Sequence, residues 1–390
     1  MQYLMKNCQP LLVLTVLALP HNVMAHPDLA EFEATAFVEQ PATVDCMLVN
    51  GDQSTCYEVT VSYLPEGLEI GPFCPSAIGD EGGIWNWTGE NANLYRIDED
   101  FLLMLDDLGY RFFDEDGTVH VVDIATEQPS VDHACINVSP AKDVTITMLL
   151  PVNPVVADQP TPLGTVGKVG VALNGVPIFS DAPSIQQTGH MPALDTCGGH
   201  IDPGGWYHWH ATSTDIETTF GTANIEATCA LEQNSSALFG YAFDGFAMYG
   251  STDSDGTVPT DLDACNGHVG RTIRGSAYHY HASEDFPNLP PCLSGVQVVD
   301  NFSTTATAGV GATRAGEDGR SEPPRPGGAG QGPLPEGFDD AAKQLGIATE
   351  TLMQALHSSG QGRPNLTVAA KTLGISEDAL RTVLPPPPGQ

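Results

Sequence analysis

The sequence predicts a mainly β protein whose sandwich-like central domain is braced by disulfides and internally duplicated, followed by a small C-terminal helical module. Three observations predict this fold class. Gly (41 residues) and Pro (31) are frequent, and short Val-, Ile-, Thr- and Tyr-containing segments alternate with turn signals. The cysteines are even in number once an N-terminal export segment is set aside. One histidine-containing pattern occurs twice in the middle of the chain.

The N-terminal segment has the composition of a signal peptide. Lys6 precedes the apolar run Leu11–Leu19, Pro20 ends it, and Val23 and Ala25 stand where signal peptidase reads small residues. A bilayer-spanning helix needs about 20 apolar residues, so this run is too short to remain as an anchor. We expect cleavage after Ala25 and a secreted or periplasmic mature chain without a transmembrane segment.

The chain has nine cysteines, and loss of Cys8 with the signal segment leaves eight. An even number of cysteines in an exported chain predicts disulfides, here up to four. The candidates are Cys46, Cys56, Cys74, Cys135, Cys197, Cys229, Cys265 and Cys292.

The charge balance narrows the class of partner. Lys and Arg total 14 against 49 Asp and Glu, the formal net charge is −35, and the pI is about 4.3. Such a surface repels nucleic acid and anionic lipid and attracts cations. The same charge would also serve solubility alone. We therefore expect a metal ion among the partners and no nucleic acid.

Composition and turn signals divide the chain into five segments. They are the signal peptide at 1–25, a cysteine-containing β-rich region at 26–150, a histidine-rich central domain at 151–302, a flexible Gly/Pro-rich linker at 303–337 and a helical tail at 338–390. Within the tail, Ala341–Ile347 recurs as Ala369–Ile375. The repeat superficially resembles the helices with which regulators read DNA, but export and acidity favour a small packing module.

Two hairpins and one helix are predicted from local patterns. Asp45–Val61 closes at Asn50-Gly51, and Val169–Phe179 follows the same pattern around Asn174-Gly175. Apolar residues recur at helical spacing in Asp98–Leu108.

A strand is predicted next, over Thr118–Ile124. The preceding segment Asp114–Gly117 is interpreted as the turn that leads into it, in preference to a calcium loop.

The central repeat has the form D-x-C-x-G-H followed by a histidine pair. The first copy is Asp195–His200 with Tyr207–His210, and the second is Asp263–His268 with Tyr278–His281. Six of the 12 histidines of the chain belong to these two copies. This concentration is difficult to explain by burial alone.

The spacing of each pair fits metal ligation from a strand. Residues i and i+2 of a strand face the same side, so His208 and His210 can converge while Tyr207 and Trp209 face an apolar core. A third imidazole from the preceding loop would complete a three-nitrogen site suited to copper or zinc. The predicted metal ligands are His200, His208, His210, His268, His279 and His281.

The sequence is compatible with several other interpretations of these motifs. The histidines could line a polar strand face of a structural or adhesion module. Cys197 and Cys265 could ligate metal through their C-x-x-H spacing, or form the disulfides Cys197–Cys229 and Cys265–Cys292; export favours the disulfides. Duplicated halves often pair around a pseudo-twofold axis, which favours one shared site or two closely adjacent sites.

Weaker candidates surround the histidines. Asp244 and Tyr249 could assist catalysis, or Asp244 could simply belong to an Asp-Gly turn. Asp195 and Asp263 either cap a turn or orient ligand histidines from the second coordination shell. Asp253–Gly256 resembles the start of a calcium loop but lacks the downstream Glu of an EF-hand.

These motifs make the chain similar to the YHYH-domain family of exported proteins, which is named for the sequence found here at Tyr278–His281. Other matching stretches are Ala172–Phe179, Cys197–His200, Gly240–Gly250 and Leu262–His268. In the first copy, Trp209 replaces the second Tyr. The resemblance covers about residues 150–300 and implies export and metal binding, with no activity attached.

The sequence thus predicts an exported transition-metal-binding protein that holds copper or zinc. The alternatives are a metal-dependent extracytoplasmic enzyme, either a hydrolase or an oxidase, and a structural module that binds no metal.

Overall fold

The computed structural model describes residues 26–312, apart from 66, 142, 273 and 274, together with 341, 345, 366, 370, 380–382 and 384. The proposed signal peptide, residues 313–337 of the proposed linker and most of both tail repeats lie outside the described residues. The export segment, the linker and the helical tail therefore remain predictions.

Nineteen strands lie within the described residues. In chain order they are β1 (Ala42–Met47), β2 (Gln53–Val61), β3 (Ile84–Trp87), β4 (Asn93–Arg96), β5 (Val121–Val122), β6 (Ala134–Ile136), β7 (Ile146–Pro151), β8 (Val156–Pro162), β9 (Lys168–Ala172), β10 (Pro177–Phe179), β11 (His190–Met191), β12 (Gly199–Ile201), β13 (Tyr207–Trp209), β14 (Leu238–Ala242), β15 (Ala247–Tyr249), β16 (Gly267–Thr272), β17 (Gly275–His281), β18 (Cys292–Gly295) and β19 (Phe302–Thr304). The prediction of a mainly β fold is confirmed.

The described helices are short. They are α1 (Glu99–Asp107), α2 (Ile185–Thr188) and α3 (Ile216–Ala223), with 3-10 turns at Leu29–Glu31 and Ser213–Asp215. The helix predicted near Asp98–Leu108 is confirmed as α1, which Asp98 caps by accepting a hydrogen bond from the Phe101 amide. Its buried side of Phe101, Leu102 and Leu105 follows the apolar spacing of the sequence. None of the helices in the described part of the chain is long and apolar enough to cross a membrane.

A four-stranded sheet, in the order β1-β2-β7-β19, contains the first predicted hairpin. Strands β1 and β2 pair in antiparallel register around the turn at Asn50-Gly51, and a disulfide joins Cys46 to Cys56 across them. Strand β19 pairs with β7, so the first residues of the predicted linker continue this sheet. The hairpin prediction is confirmed.

The strand predicted over Thr118–Ile124 is shorter than expected. It is regular only at β5, which pairs with β6 in a three-stranded sheet, β11-β6-β5. Thr118 and Val119 instead form isolated bridges to two different loop residues, Ala77 and Phe113. A continuous ladder cannot form where successive residues pair with different segments.

The central sheet has eight strands in the order β12-β13-β10-β9-β14-β15-β17-β16. Its two halves are related by internal duplication: β9, β10, β12 and β13 form one half, and β14 to β17 form the other. In the first half Ile178 of β10 pairs in parallel with Trp209 of β13. In the second half Met248 of β15 pairs in parallel with Tyr280 of β17. The hairpin predicted around Asn174-Gly175 is confirmed as β9–β10.

The two halves meet at the antiparallel pair β9–β14. Gly240 pairs with Ala172, Tyr241 with Val171, and Ala242 with Gly170. The pairing is therefore symmetric: Gly170 pairs with Ala242, and the equivalent Gly240 pairs with the equivalent Ala172. A Cβ at Gly170 would collide with backbone atoms of Tyr241 and Ala242, and a Cβ at Gly240 would collide with Val171 and Ala172. Both glycines therefore permit close approach of the strands.

The main hydrophobic core joins the central sheet to the N-terminal region. It includes Val59 and Met148 from the four-stranded sheet, and Val171, Tyr241 and Tyr280 from the eight-stranded sheet. Two smaller sheets, β18-β8 and β3-β4, complete the described β structure. The eight candidate cysteines form four disulfides, Cys46–Cys56, Cys74–Cys135, Cys197–Cys229 and Cys265–Cys292.

Candidate metal centres

Each D-x-C-x-G-H segment forms a tight turn that leads into a histidine-bearing strand. The third residue after the Asp adopts a left-handed conformation, with φ of 78° at Gly198 and 59° at Asn266. Gly and Asn are the residues that tolerate this conformation best. The adjacent cysteines are held in Cys197–Cys229 and Cys265–Cys292, so these cysteines are not available as metal ligands.

The aspartate of each repeat organises this turn. Asp195 Oδ1 accepts hydrogen bonds from the amides of Cys197 and Gly199, and its Oδ2 accepts from the Tyr207 hydroxyl at 2.8 Å. In the second copy, Asp263 bonds its own turn amides and the Tyr278 hydroxyl in the same way. Asp195 and Asp263 therefore cap the turns and do not hydrogen-bond to the ligand histidines among the described residues.

The strands then separate aromatic from imidazole side chains. Tyr207 and Trp209 are buried in the main core, as is Tyr280, while the intervening histidines face the other side of the sheet. His200 lies directly opposite His208 in the β12–β13 ladder, and His268 lies opposite His279 in β16–β17. The predicted period-two arrangement brings two rings together in each copy, and the third ring comes from the neighbouring strand and not from a loop as expected.

In the first copy, His200, His208 and His210 form one cluster. Their candidate ligand atoms all lie within 4.8 Å of one another. The Nε2 atoms of His200 and His210 are 3.2 Å apart. His208 is 3% exposed and His210 1% exposed, and Nδ1 of His208 is buried without a hydrogen-bond partner among the described residues. Aromatic rings pack around His208, with Phe179 at 5.1 Å and Trp206 at 4.9 Å between ring centroids.

In the second copy, the carboxylate of Asp253 lies beside the three rings of His268, His279 and His281. Asp253 Oδ1 lies 3.5, 3.9 and 3.6 Å from Nε2 of these three histidines, in that order. The Nε2 atoms of His279 and His281 are 2.9 Å apart. Both Asp253 Oδ1 and His268 Nε2 are buried without a hydrogen-bond partner in the described part of the chain.

The hydrogen bonds of the far ring nitrogens assign the protons. In the second copy, Nδ1 of His279 and of His281 donate to the carbonyls of Ala277 and Gly250, and Nδ1 of His268 donates to the Asp261 carboxylate at 2.7 Å. A neutral imidazole that carries its proton on Nδ1 presents a lone pair at Nε2. When all three rings are in this form, their Nε2 lone pairs converge, an arrangement that a shared cation stabilises.

In the first copy two Nδ1 atoms also donate hydrogen bonds, but here the acceptors are both neutral carbonyl groups. His210 Nδ1 donates to the Ser180 carbonyl, and His200 Nδ1 donates to the Pro192 carbonyl at 3.1 Å. Ser180 is the counterpart of Gly250, because Ala172–Ser180 aligns with Ala242–Gly250 without a gap. Two Nε2 lone pairs again face each other.

Burial keeps most of these imidazoles in the neutral, ligating form. Desolvation lowers the pKa of His210 to about 4, and it lowers the pKa of His200 and of His208 well below the usual value, with neighbouring rings adding to the effect at these two. Desolvation also lowers the pKa of His279 to about 4 and lowers the pKa of His281. The nearby Asp253 opposes the shift in the second copy.

The described residues fit a transition metal at both clusters. Three imidazole nitrogens, with or without a carboxylate oxygen, form a donor set suited to zinc or copper. Gly270 adds a second observation, because a Cβ at this position would collide with His268 Nε2. The missing side chain at Gly270 thus makes room for the His268 imidazole.

The two weaker catalytic candidates, Asp244 and Tyr249, differ in what they contact. Asp244 is buried, and its carboxylate accepts hydrogen bonds from the Tyr280 hydroxyl and from the amides of Phe246 and Gly295. Burial raises the pKa of this carboxyl to about 6. The ring of Tyr249 packs against His279 with centroids 5.2 Å apart. Asp244 therefore fixes a core tyrosine, and Tyr249 is the candidate that lies beside a cluster.

Two carboxylates were missed by sequence reasoning in their present roles. The sequence pattern indicates Asp253 only as part of a calcium loop, but its carboxylate faces three imidazoles, a nitrogen-rich donor set that calcium does not favour. Asp261, which holds His268 by its far nitrogen, was not singled out at all. Neither residue falls within the repeated pattern, so the spacing of that pattern carried no signal for them.

The expectation of a shared or closely adjacent site is wrong. The six histidines form two groups, each made within its own copy. The groups lie at opposite ends of the eight-stranded sheet, with β10, β9, β14 and β15 between the two histidine hairpins. The pseudo-twofold axis passes through the β9–β14 seam and not between the histidines.

Fold and site together define a disulfide-braced β protein with two histidine clusters in duplicated halves. The model of the YHYH protein family matches residues 147–259, which confirms the family resemblance over this part of the chain. The matched range includes the first histidine copy, whereas Tyr278–His281 lies beyond it. Comparison with curated proteins finds no match, and comparison with solved structures finds none either.

Proposed function

We propose that this protein is exported and binds transition metal, copper or zinc, at its two histidine clusters. The observation that carries the proposal is the convergence of Nε2 lone pairs in buried sites, most clearly at His268, His279 and His281. Buried polar atoms are normally satisfied, and a cation would satisfy these. Four disulfides agree with an oxidising compartment.

Metal analysis of untagged protein purified from its native compartment tests this function. Wild-type protein should contain copper or zinc, and a variant with His208, His210, His279 and His281 all replaced by Ala should contain none. Because the disulfides and the aromatic face of each strand remain, the variant should keep its β circular dichroism spectrum. Full metal retention in this folded variant would place the metal at other residues and refute binding at the two clusters.

Export is tested separately by mass spectrometry of the mature chain. Cleavage after Ala25 places His26 at the N-terminus. A mature species that still carries Leu11–Leu19 would contradict the proposed signal peptide.

A metal-dependent enzyme is the second candidate function, and Tyr249 is the observation that favours it. Tyr249 places a phenol beside His279, whereas the equivalent residue beside His208 is Phe179. A metal-bound water that titrates near neutral pH is the property expected of a hydrolytic site. Its absence from the pH titration of the metal-loaded protein would remove support for a hydrolase.

A further inference from the structure

The two clusters have the same ring arrangement but different charge. The carboxylates beside the second cluster, Asp253 and Asp261, have neutral counterparts beside the first. The Nδ1 of His268 donates to the Asp261 carboxylate, whereas the Nδ1 of His200 donates to the Pro192 carbonyl. Continuing the alignment of the copies without a gap places Pro183 at the position of Asp253.

We propose that the duplicated halves have diverged into two different metal sites, the second for a divalent ion such as Zn²⁺ and the first for the cuprous ion. The inference rests on the proposed metal-binding function and names the ion class of each site. In the second half, His268, His279, His281 and Asp253 offer four donors, a number that closes a tetrahedral zinc site.

The need for negatively charged ligands differs between the two ions. The hydration free energy that a cation loses on burial grows with the square of its charge, so a divalent ion needs anionic ligands more than a monovalent ion does. Asp253 supplies one negative charge within the donor set, and Asp261 adds another behind His268. The first cluster groups three neutral imidazoles, and no carboxylate belongs to it among the described residues.

The surroundings of the first cluster agree with this assignment. His208 packs against the rings of Phe179 and Trp206, so part of the surface around the donors is aromatic and carries no charge. Imidazole is a good ligand for copper, and a d¹⁰ cuprous ion needs no more than two or three donors. His200, His208 and His210 supply that number.

Sequential loading of the metal-free mature protein tests the proposal. Zinc alone, titrated against a competing chelator, should bind tightly at one ion per chain. The His279→Ala/His281→Ala variant should lose this ion, and the His208→Ala/His210→Ala variant should keep it. The zinc-loaded protein should then take up one cuprous ion under anaerobic conditions, silent in electron paramagnetic resonance. The His208→Ala/His210→Ala variant should lose this second ion.

A matched pair of charge variants isolates the carboxylate. Asp253→Asn should weaken zinc binding by at least about tenfold, because removal of even a group behind a metal ligand costs about that much. Asp255→Asn makes the same charge change in the same turn, but Asp255 is exposed and its carboxylate accepts hydrogen bonds from Thr257, so zinc affinity should stay unchanged. Cuprous binding should be unaffected by either change.

The outcomes are distinguishable. Tight zinc binding at both clusters, or an Asp253→Asn variant equal to wild type, would overturn the divergence while leaving metal binding intact. A first cluster that rejects the cuprous ion would also overturn it. Failure of either cluster to bind any ion would instead overturn the proposed function.

Discussion

The two halves of the central sheet show how one backbone arrangement can support two chemical environments. Strand pairing, turn geometry and the converging rings are the same around His208 and around His279. The difference lies in groups outside the repeated pattern, where Asp253 and Asp261 face the second cluster. The fold therefore sets ring positions, and the neighbouring loops set the charge.

The cores behind the two clusters differ as well. Tyr280 of the second copy donates its hydroxyl hydrogen bond to Asp244, whereas the equivalent Trp209 donates to the Tyr207 hydroxyl. Asn174, the counterpart of Asp244, accepts a turn amide from Val176. The second half thus has a carboxyl group at the turn position where the first half has a neutral amide.

The largest expected effect tests whether the two halves are equally braced. Cys197–Cys229 and Cys265–Cys292 span 32 and 27 residues. The chain-entropy model gives about 3.5 kcal/mol for loops of this size, so replacing either pair by Ser should lower the free energy of unfolding by about that amount. Denaturant unfolding of the metal-free protein measures it. A loss confined to one variant would show that the halves contribute unequally to folding.

A second prediction concerns the buried carboxyl of Asp244. Its pKa is raised from 3.8 to about 6 in the folded protein, so the folded state binds more protons than the unfolded state between these values. Its contribution to stability is fully present below pH 3.8 and is lost as pH rises through 6. With a shift of about two units, this loss is about 3 kcal/mol.

The Asp244→Asn variant lacks this titration. Its free energy of unfolding, measured by denaturant from pH 4 to pH 7, should therefore fall less steeply with rising pH than that of wild type. Asn174→Ala in the equivalent turn serves as the control and should leave the slope unchanged. Equal slopes in wild type and Asp244→Asn would show that Asp244 is ionised throughout.

The smallest expected effect uses Gly270. A methyl group at this position would collide with His268 Nε2, so Gly270→Ala should weaken metal binding at the second cluster by about tenfold and leave the first cluster unchanged. Val269→Ala, at a neighbouring side chain that is 68% exposed, is the control and should bind like wild type. Competition with a chelator measures both. Unaltered affinity in Gly270→Ala would mean that the metal does not use His268.

Strand periodicity and cysteine parity were enough to predict much of the site. The alternation in Tyr278–His281 placed both imidazoles on one side, and export predicted disulfides at Cys197 and Cys265. Asp253 could not be found in this way, because it lies in a turn 15 residues before His268 and its aligned counterpart is Pro183. Comparison of the two repeats identifies the histidines that both copies share, but it cannot identify a ligand such as Asp253 that only one copy has.

The sequence also could not predict where in the sheet the two clusters lie. Duplication correctly predicted a pseudo-twofold relation, but it did not identify which strands meet at the axis. The hydrogen bonds between β9 and β14 decide this, and they place the histidine hairpins at the far ends of the sheet. Such long-range pairing depends on side chains from the whole core and leaves no local pattern.

The symmetric pairing of β9 with β14 has a consequence for how the duplicated chain evolved. A polypeptide carrying only one half would present this same edge, and two such polypeptides would associate through it as an isologous homodimer. Gene fusion would convert that dimer into one chain with the interface already built. Identical subunits must change together, but fused halves can change singly. Fusion would thus have permitted a carboxylate such as Asp253 to arise on one side alone.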